Sequence, residues 1–174
     1  MKIGVFASSQ SDDRETVQAV FQLGKALGEK GHTMVFGGCD MGLMRACCAG
    51  FYDGGSTAVG VVPDCFRDTP MFPGLGEILY TRDIKERKAV MIGLSDALVV
   101  LPGGIGTLDE FFTAWVQRDI GEFEKPVLVF DPFGFYEELH AFLNRLEVQG
   151  FVTREALDKL TWCTTCEEVV EALR

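Results

Sequence analysis

The chain is short of positive charge. Sixteen Lys and Arg face 26 Asp and Glu, a formal net charge of −10, and no Lys/Arg cluster is present of the kind that tracks a nucleic-acid backbone. The overall field therefore repels polyanions, nucleic acid is not expected as a partner, and any anionic ligand has to be held by local geometry. Histidine is scarcer still. His32 and His140 are the two in the chain, neither has ligand spacing to the C-x-x-C pair Cys163 and Cys166, and no metal is expected. Long apolar runs are also missing: nothing approaches the ~20 apolar residues of a membrane span. "MKIGVFASSQ" supplies only about five apolar positions where a signal peptide uses ~7–15. The expectation is a cytoplasmic protein that meets no membrane.

Cysteine is present but unstructured in its spacing. The 174 residues include six, at positions 39, 47, 48, 65, 163 and 166, and a chain of this length fills a single core that needs no covalent staples. Buried free thiols are the expectation for them.

What the chain does have is alternation. "KIGVFAS", "TMVFGG", "TAVGVVP", "EILYT", "DALVVLP" and "KPVLVFD" are short apolar or β-branched runs bounded by turn residues, each of which reads as a buried strand. Between them lie segments with helical spacing: Thr16 to Glu29, Met41 to Tyr52, Asp83 to Leu94, Leu108 to Ile120 and Phe135 to Gln149. The tail adds a short edge strand at Leu160 to Cys163 and a closing helix from about Glu167. This is the signature of βαβ units, and it predicts a single Rossmann-like α/β domain over residues 1–174, a three-layer αβα sandwich with a mostly parallel sheet.

Ligands in such a sheet bind beyond the carboxyl ends of the strands. Three glycine-bearing loops follow strands: "VFASSQ", "FGGCDMGLM" and "LPGGIGTLDE". In the last, Gly103, Gly104 and Gly106 permit positive φ and keep Cβ atoms away from a ligand, and Thr107 is placed to start a helix whose N-terminus would favour a phosphate. Ordinary fingerprints are absent here: Asp109 stands where the last glycine of G-x-G-x-x-G would be, and there is no G-K-[ST]. Asp131 lies about 25 residues on, at the place of a ribose-binding acid, and reads better as a strand-end turn former. Thr107-Leu-Asp-Glu110 also spells a capping box, in which Glu110 reaches back to the Thr107 N–H. On spacing alone that is the favoured role for Glu110. A bare cap, however, does not need three glycines in four residues.

The second constellation is "RDIKERKAVM". With Asp83 opening a helix, Ile84, Arg87, Lys88 and Met91 share one inward face, and two cations there require an anionic partner. An equal alternative is a solvated Asp83–Arg87 pair, worth about 0.3–0.5 kcal/mol.

Taken together, R-K at Arg87 and Lys88 and "PGGIGTLDE" from Pro102 to Glu110 resemble the M-x-x-R-K and P-G-G-x-G-T-x-x-E motifs of the Lonely guy family. Its members are cytokinin-activating phosphoribohydrolases that have often been labelled lysine decarboxylases. The resemblance runs through "VFASSQ" (V-F-C-G-S-S), "FGGCDMGLM" (Y-G-G-G-x-x-G-L-M), "GVVP" (G-V-I-P), "KPVLVFDPFGFYEEL" and "QGFV". Departures are Ile84 for the motif methionine, Cys39 for the third glycine, and Ala7-Ser8 for Cys-Gly; the last two lie in ligand-side loops and bear on substrate preference.

The resemblance implies hydrolysis of the N-glycosidic bond of an adenine-type nucleoside 5′-monophosphate, with or without an N6-prenyl group, by a homodimer that uses no cofactor. It implies Glu110 as the catalytic carboxylate and Arg87 as its partner, holding it ionised and aimed. Lys88, Pro102, Gly103, Gly104, Ile105, Gly106 and Thr107 would bind the nucleotide, and Ser9 would contact sugar or phosphate. Pyridoxal chemistry lacks support beyond the presence of Lys88. Two further classes stay open: a non-catalytic carrier of a nucleotide or of molybdenum cofactor, and a structural α/β module in which Thr107 and Glu110 only cap a helix.

Overall fold

The computed structural model describes residues 1–11 and 13–174. Seven strands form one sheet in the order β4-β3-β2-β1-β5-β6-β7: β1 (Lys2–Phe6), β2 (Thr33–Phe36), β3 (Ala58–Pro63), β4 (Glu77–Thr81), β5 (Ala97–Val100), β6 (Val127–Phe130) and β7 (Leu160–Cys163). Every pairing between them is parallel. The predicted edge strand at Leu160–Cys163 is β7.

The helices are α1 (Arg14–Glu29), α2 (Gly42–Asp53), α3 (Ile84–Leu94), α4 (Ile105–Asp119), α5 (Glu137–Val148), α6 (Arg154–Asp158) and α7 (Cys166–Ala172). The short α6 and a 3-10 turn at Asp64–Phe66 were not expected from the spacing; each is too short to show a period. Central strands are buried along their whole length, as strands covered on both faces must be. Ile3 and Val5 pack with α1, α2 and α7 on one face, while Phe6, Leu98 and Val100 pack with α3, α4, α5 and α6 on the other. The result is the expected three-layer Rossmann-like sandwich.

Connectivity places a crevice at the centre of the sheet. The chain winds outward from β1 to β4, then α3 carries it back to β5, which pairs with β1 in register from Ile3 opposite Ala97 to Phe6 opposite Val100. The loops leaving β1 and β5 therefore diverge to opposite faces, and a gap opens above their carboxyl ends.

The close approach of α1 and α2 depends on glycine. A Cβ at Gly24 would lie 2.2 Å from the Cys47 carbonyl oxygen, and one at Gly50 would lie 2.2 Å from that of Phe21. Gly28 and Gly54 meet the opposite backbone in the same way, at 2.5 and 2.4 Å. Both helices thus surrender side chains along one stripe so that their backbones touch.

Of the cysteines, 39, 47, 48 and 163 are buried, as expected, but Cys65 is exposed and Cys166 half-buried. Burial raises the thiol pKa of Cys48 to about 12 and that of Cys163 to about 11, which leaves both as protonated apolar fillers at neutral pH.

Gly50→Ala is expected to cost about 2–3 kcal/mol by overpacking, read as a lower midpoint in urea unfolding. Gly93→Ala, in α3 where an added Cβ meets nothing within 4 Å, is the control and should be neutral or stabilising by up to about 1 kcal/mol.

Candidate active site

Three loops meet at the crevice, each shaped by a backbone requirement. After β1, the Ser8 carbonyl accepts the Leu43 N–H at 2.9 Å and the Met44 N–H at 3.2 Å, so it closes the N-terminus of α2. That contact needs Gly42, which has φ of +55° and whose Cβ would fall 2.5 Å from the Ser9 carbonyl carbon. After β2, Phe72 N–H donates to Gly38 and Asp40 N–H to Pro70, both at 2.9 Å. These two bonds draw the segment after β3 alongside the opening. Between the loops lies a cleft of about 390 Å³. Its lining includes Ser9, Arg87, Gly104, Ile105, Gly106, Thr107 and Glu110.

The loop after β5 behaves differently from a capping box. Helix α4 begins at Ile105, with Gly104 as an extended N-cap that offers no side chain, and its first internal bond runs from Leu108 N–H to the Gly104 carbonyl at 3.0 Å. Thr107 is thus inside the first turn rather than at its start, which overturns the expected Thr107–Glu110 cap and moves the helix start three residues earlier than predicted. The N–H groups of Ile105, Gly106 and Thr107, which a helix leaves without internal acceptors, lie at the cleft. None of the three loop glycines has positive φ, so conformational freedom is not their use here. A Cβ on Gly104 or Gly106 would enter open space, whereas one on Gly103 would strike the Thr107 hydroxyl at 2.1 Å. Two glycines keep the cleft floor bare and the third admits Thr107 over the loop.

Glu110 turns away from its own helix end to meet α3. Arg87 Nη2 donates to Glu110 Oε1 at 2.7 Å, with Arg87 9% and Glu110 3% exposed. The alternative Asp83–Arg87 pair does not form: Asp83 caps α3 by accepting the Glu86 N–H at 2.8 Å. Ile84, expected on the inward face, is exposed at the first position of α3, beyond the stretch of the helix that packs on the sheet through Met91 and Ile92. Burial raises the Glu110 carboxyl to about 7 despite the opposing pull of Arg87. The expectation that Arg87 simply holds the carboxylate ionised is therefore modified: Arg87 aims Glu110, while desolvation poises it near neutrality. Arg87 Nε is buried without a protein partner, while the residue itself lines the cleft.

Lys88 forms a second rung. Its ammonium reaches Asp109 at 2.7 and 2.8 Å and Thr113 Oγ1 at 3.0 Å, and it is not among the cleft-lining residues. Pro102 and Gly103 lie buried behind the lining as well. Conversely, Cys39, Met41, Met44, Phe66 and Met71 form an apolar wall; of these, sequence reasoning singled out Cys39 alone, as a departure in a ligand-side loop. Met41 and Met44 share the FGGCDMGLM loop with Cys39, whereas Phe66 and Met71 come from the segment after β3 and carry no spacing that could have revealed them. Asp131 is a turn former as expected, accepting the Tyr136 N–H at 3.0 Å.

A family described as "possible lysine decarboxylase" matches residues 44–173. The cytokinin riboside 5′-monophosphate phosphoribohydrolase of Mycobacterium tuberculosis is 33% identical, over 99% of this chain and 91% of that protein. The protein of the same name from Rhodococcoides fascians is 32% identical over 87% and 78%. The chain belongs to the Lonely guy family. Among solved structures, the molybdenum cofactor binding protein of Rippkaea orientalis superposes with a TM-score of 0.76 at 19% identity, covering 99% of this chain and 94% of that one. The molybdenum cofactor carrier protein of Chlamydomonas reinhardtii gives 0.72 at 22% identity, with the same coverage. These two likenesses are of fold.

Carbon-13 NMR of the Glu110 side-chain carboxyl should show a midpoint near 7. Asp109 raises and Lys88 lowers that value, so Asp109→Asn should move the midpoint down and Lys88→Met should move it up. An unchanged midpoint in both variants would show that the outer rung does not act on Glu110.

Proposed function

We propose that the cleft hydrolyses the N-glycosidic bond of an adenine-type nucleoside 5′-monophosphate, giving free base and ribose 5-phosphate. The single observation that carries this reading is a buried carboxyl on the cleft wall, fixed by Arg87 at 2.7 Å, on the same helix whose open N-terminus faces the cleft. The 5′-phosphate would sit on the N–H groups of Ile105, Gly106 and Thr107, where the helix dipole favours an anion. Ser9 lines the same cleft and would contact the sugar or phosphate, and Arg87 also lines it. Lys88 contributes at one remove, by holding Asp109 next to Glu110.

In the reaction the C1′–N9 bond breaks as a water oxygen bonds to C1′, and positive charge builds on the ribose ring. An ionised Glu110 stabilises that charge and accepts the water proton. The base leaves with the bonding electron pair and takes up a proton. Among the described lining residues Glu110 is the one carboxyl group. A pKa near the working pH suits a group that must be ionised to act and then accept a proton.

The apolar wall of Cys39, Met44, Phe66 and Met71 suits a purine face and leaves room for an apolar N6 substituent. Lysine decarboxylation does not fit these residues: no lysine is among the described lining residues, and Lys88 spends its ammonium on Asp109 and Thr113. A molybdenum-cofactor carrier shares the fold, but carriage of a phosphorylated ligand has no use for a buried carboxyl beside it. We also propose a homodimer acting in the cytoplasm. Ile105 is 90% exposed at the cleft mouth, and Val116 and Ile120 continue the same apolar stripe along α4; light scattering should give twice the mass of the chain.

Incubation with AMP and with N6-isopentenyladenosine 5′-monophosphate, followed by chromatography of free base, tests the reading. Wild type should release base, Glu110→Gln should lose about 10²–10⁴-fold in kcat, and kcat/KM should fall as pH drops below about 7, because the protonated carboxyl neither stabilises the cation nor takes a proton. Nucleotide retained without release would instead support a carrier.

A further inference from the structure

We propose that Tyr136 is a positioning residue for the phosphate seat, and that its hydroxyl sets the ability of the α4 N-terminus to prefer phosphorylated ligands; this rests on the reading of the cleft just given. Tyr136 lies outside the cleft lining and is 3% exposed. Its hydroxyl donates to the Leu101 carbonyl at 2.8 Å. The phenol hydroxyl thus ties the Leu101 end of the Leu101-Pro102-Gly103 turn to the start of α5. Burial raises the phenol pKa further above its ordinary range, so the hydroxyl keeps its proton and remains a donor to Leu101.

The turn has few other supports. Leu101 N–H is spent on the Phe6 carbonyl at 2.9 Å, Pro102 has no N–H, and the next backbone group in line is the Gly104 N-cap that opens the seat. Any shift of the turn passes directly to the N–H groups of residues 105–107. Glu110 is held separately through Arg87. Loss of the Tyr136 hydroxyl should therefore disturb the phosphate seat more than the carboxyl.

The backbone of Tyr136 is itself tied in place. Tyr136 N–H donates to Asp131 Oδ2 at 3.0 Å, Asp131 N–H donates to the Cys163 carbonyl at 2.8 Å, and His140 N–H donates to the Tyr136 carbonyl at 2.8 Å. The ends of β6 and β7 and the start of α5 are in this way coupled to a turn at the end of β5. A residue needed only to fill the core would have no use for a hydroxyl aimed at that turn.

Calorimetric titration with ribose 5-phosphate and with inorganic phosphate reads the seat without requiring turnover, and the Glu110 carbon-13 midpoint serves as an internal check on the carboxyl. In Tyr136→Phe the affinity for ribose 5-phosphate should fall about tenfold, with the Glu110 midpoint unchanged and, where base release is measured, KM for the nucleotide raised more than kcat is lowered. Equal affinity in wild type and Tyr136→Phe overturns the positioning role. A parallel fall in affinity and shift of the Glu110 midpoint also overturns it, since general loosening then explains both. If Tyr136→Phe does not fold, Asp131→Ala, which removes the acceptor of the Tyr136 N–H, tests the same linkage from the backbone side: weaker ribose 5-phosphate binding is expected and unchanged binding sinks the proposal. Failure of wild type to bind either phosphate would refute the seat itself, and the positioning role with it; a wild type that binds but releases no base refutes the hydrolase reading alone.

Discussion

The arrangement depends on a salt bridge that the protein would be easier to build without. Arg87 and Glu110 are both buried, and withdrawing two charges from water costs several kcal/mol per ion before their attraction returns any of it. The ledger is visible in Glu110, whose carboxyl stays near 7 even with a guanidinium at 2.7 Å, and in Arg87 Nε, buried without a protein partner. Apolar residues at both positions would pack α3 against α4 at less cost. Retaining the pair is reasonable where a poised carboxyl and an aimed guanidinium are the product, and the sheet supports it: α3 has to cross from β4 back to β5, and this crossing brings it against α4 at the switch point.

The same logic governs the helix ends. Asp13, Asp83, Thr153 and Thr165 cap α1, α3, α6 and α7 with side-chain acceptors. Of the helices lacking such a residue, α2 gives its first N–H groups to the Ser8 carbonyl, and α5 gives the Glu137 N–H to the Gly134 carbonyl. Helix α4 instead presents its donors to the cleft, with Gly104 and Gly106 leaving the space above them open. A side-chain cap is worth about 1 kcal/mol, and α4 forgoes it, which fits the proposed phosphate seat.

Strand positions were legible because central parallel strands are uniformly apolar and bounded by turn residues; even the four-residue β7 could be read. Helix starts were less so. Two stretches, Thr107-Leu-Asp-Glu110 and Thr165-Cys-Glu-Glu168, have the same capping-box spelling, and only the second forms one. The difference lies in what precedes them: Gly104 takes the extended N-cap conformation and shifts Thr107 to the third helical position, an outcome that the local sequence does not encode. Arg87 showed as a cation in want of an anion, but its choice between Asp83 and Glu110 depended on how two helices meet. Of the apolar wall only Cys39 showed, and the glycine contact between α1 and α2 was invisible, since both consist of residues that only the fold brings together.

Lys88 belongs to that last kind of problem, and its position explains why the motif pairs a lysine with the arginine. The two rungs run antiparallel, Arg87 to Glu110 and Lys88 to Asp109, so adjacent residues on α3 meet adjacent residues on α4. The Asp109 carboxylate is half exposed, and such a pair contributes at most about 1 kcal/mol to stability. Its electrostatic position is more consequential. Asp109 alone would push the neighbouring Glu110 further toward its protonated form and Lys88 alone would pull it down. Paired, they act on Glu110 in opposite senses, with the push of Asp109 the larger, while burial and the charge of Arg87 remain the two strongest influences on its proton affinity. The outer rung then holds the two helices in register while leaving the inner carboxyl poised near neutrality, which is what a single carboxyl needs if it is to act first as an anion and then as a proton acceptor.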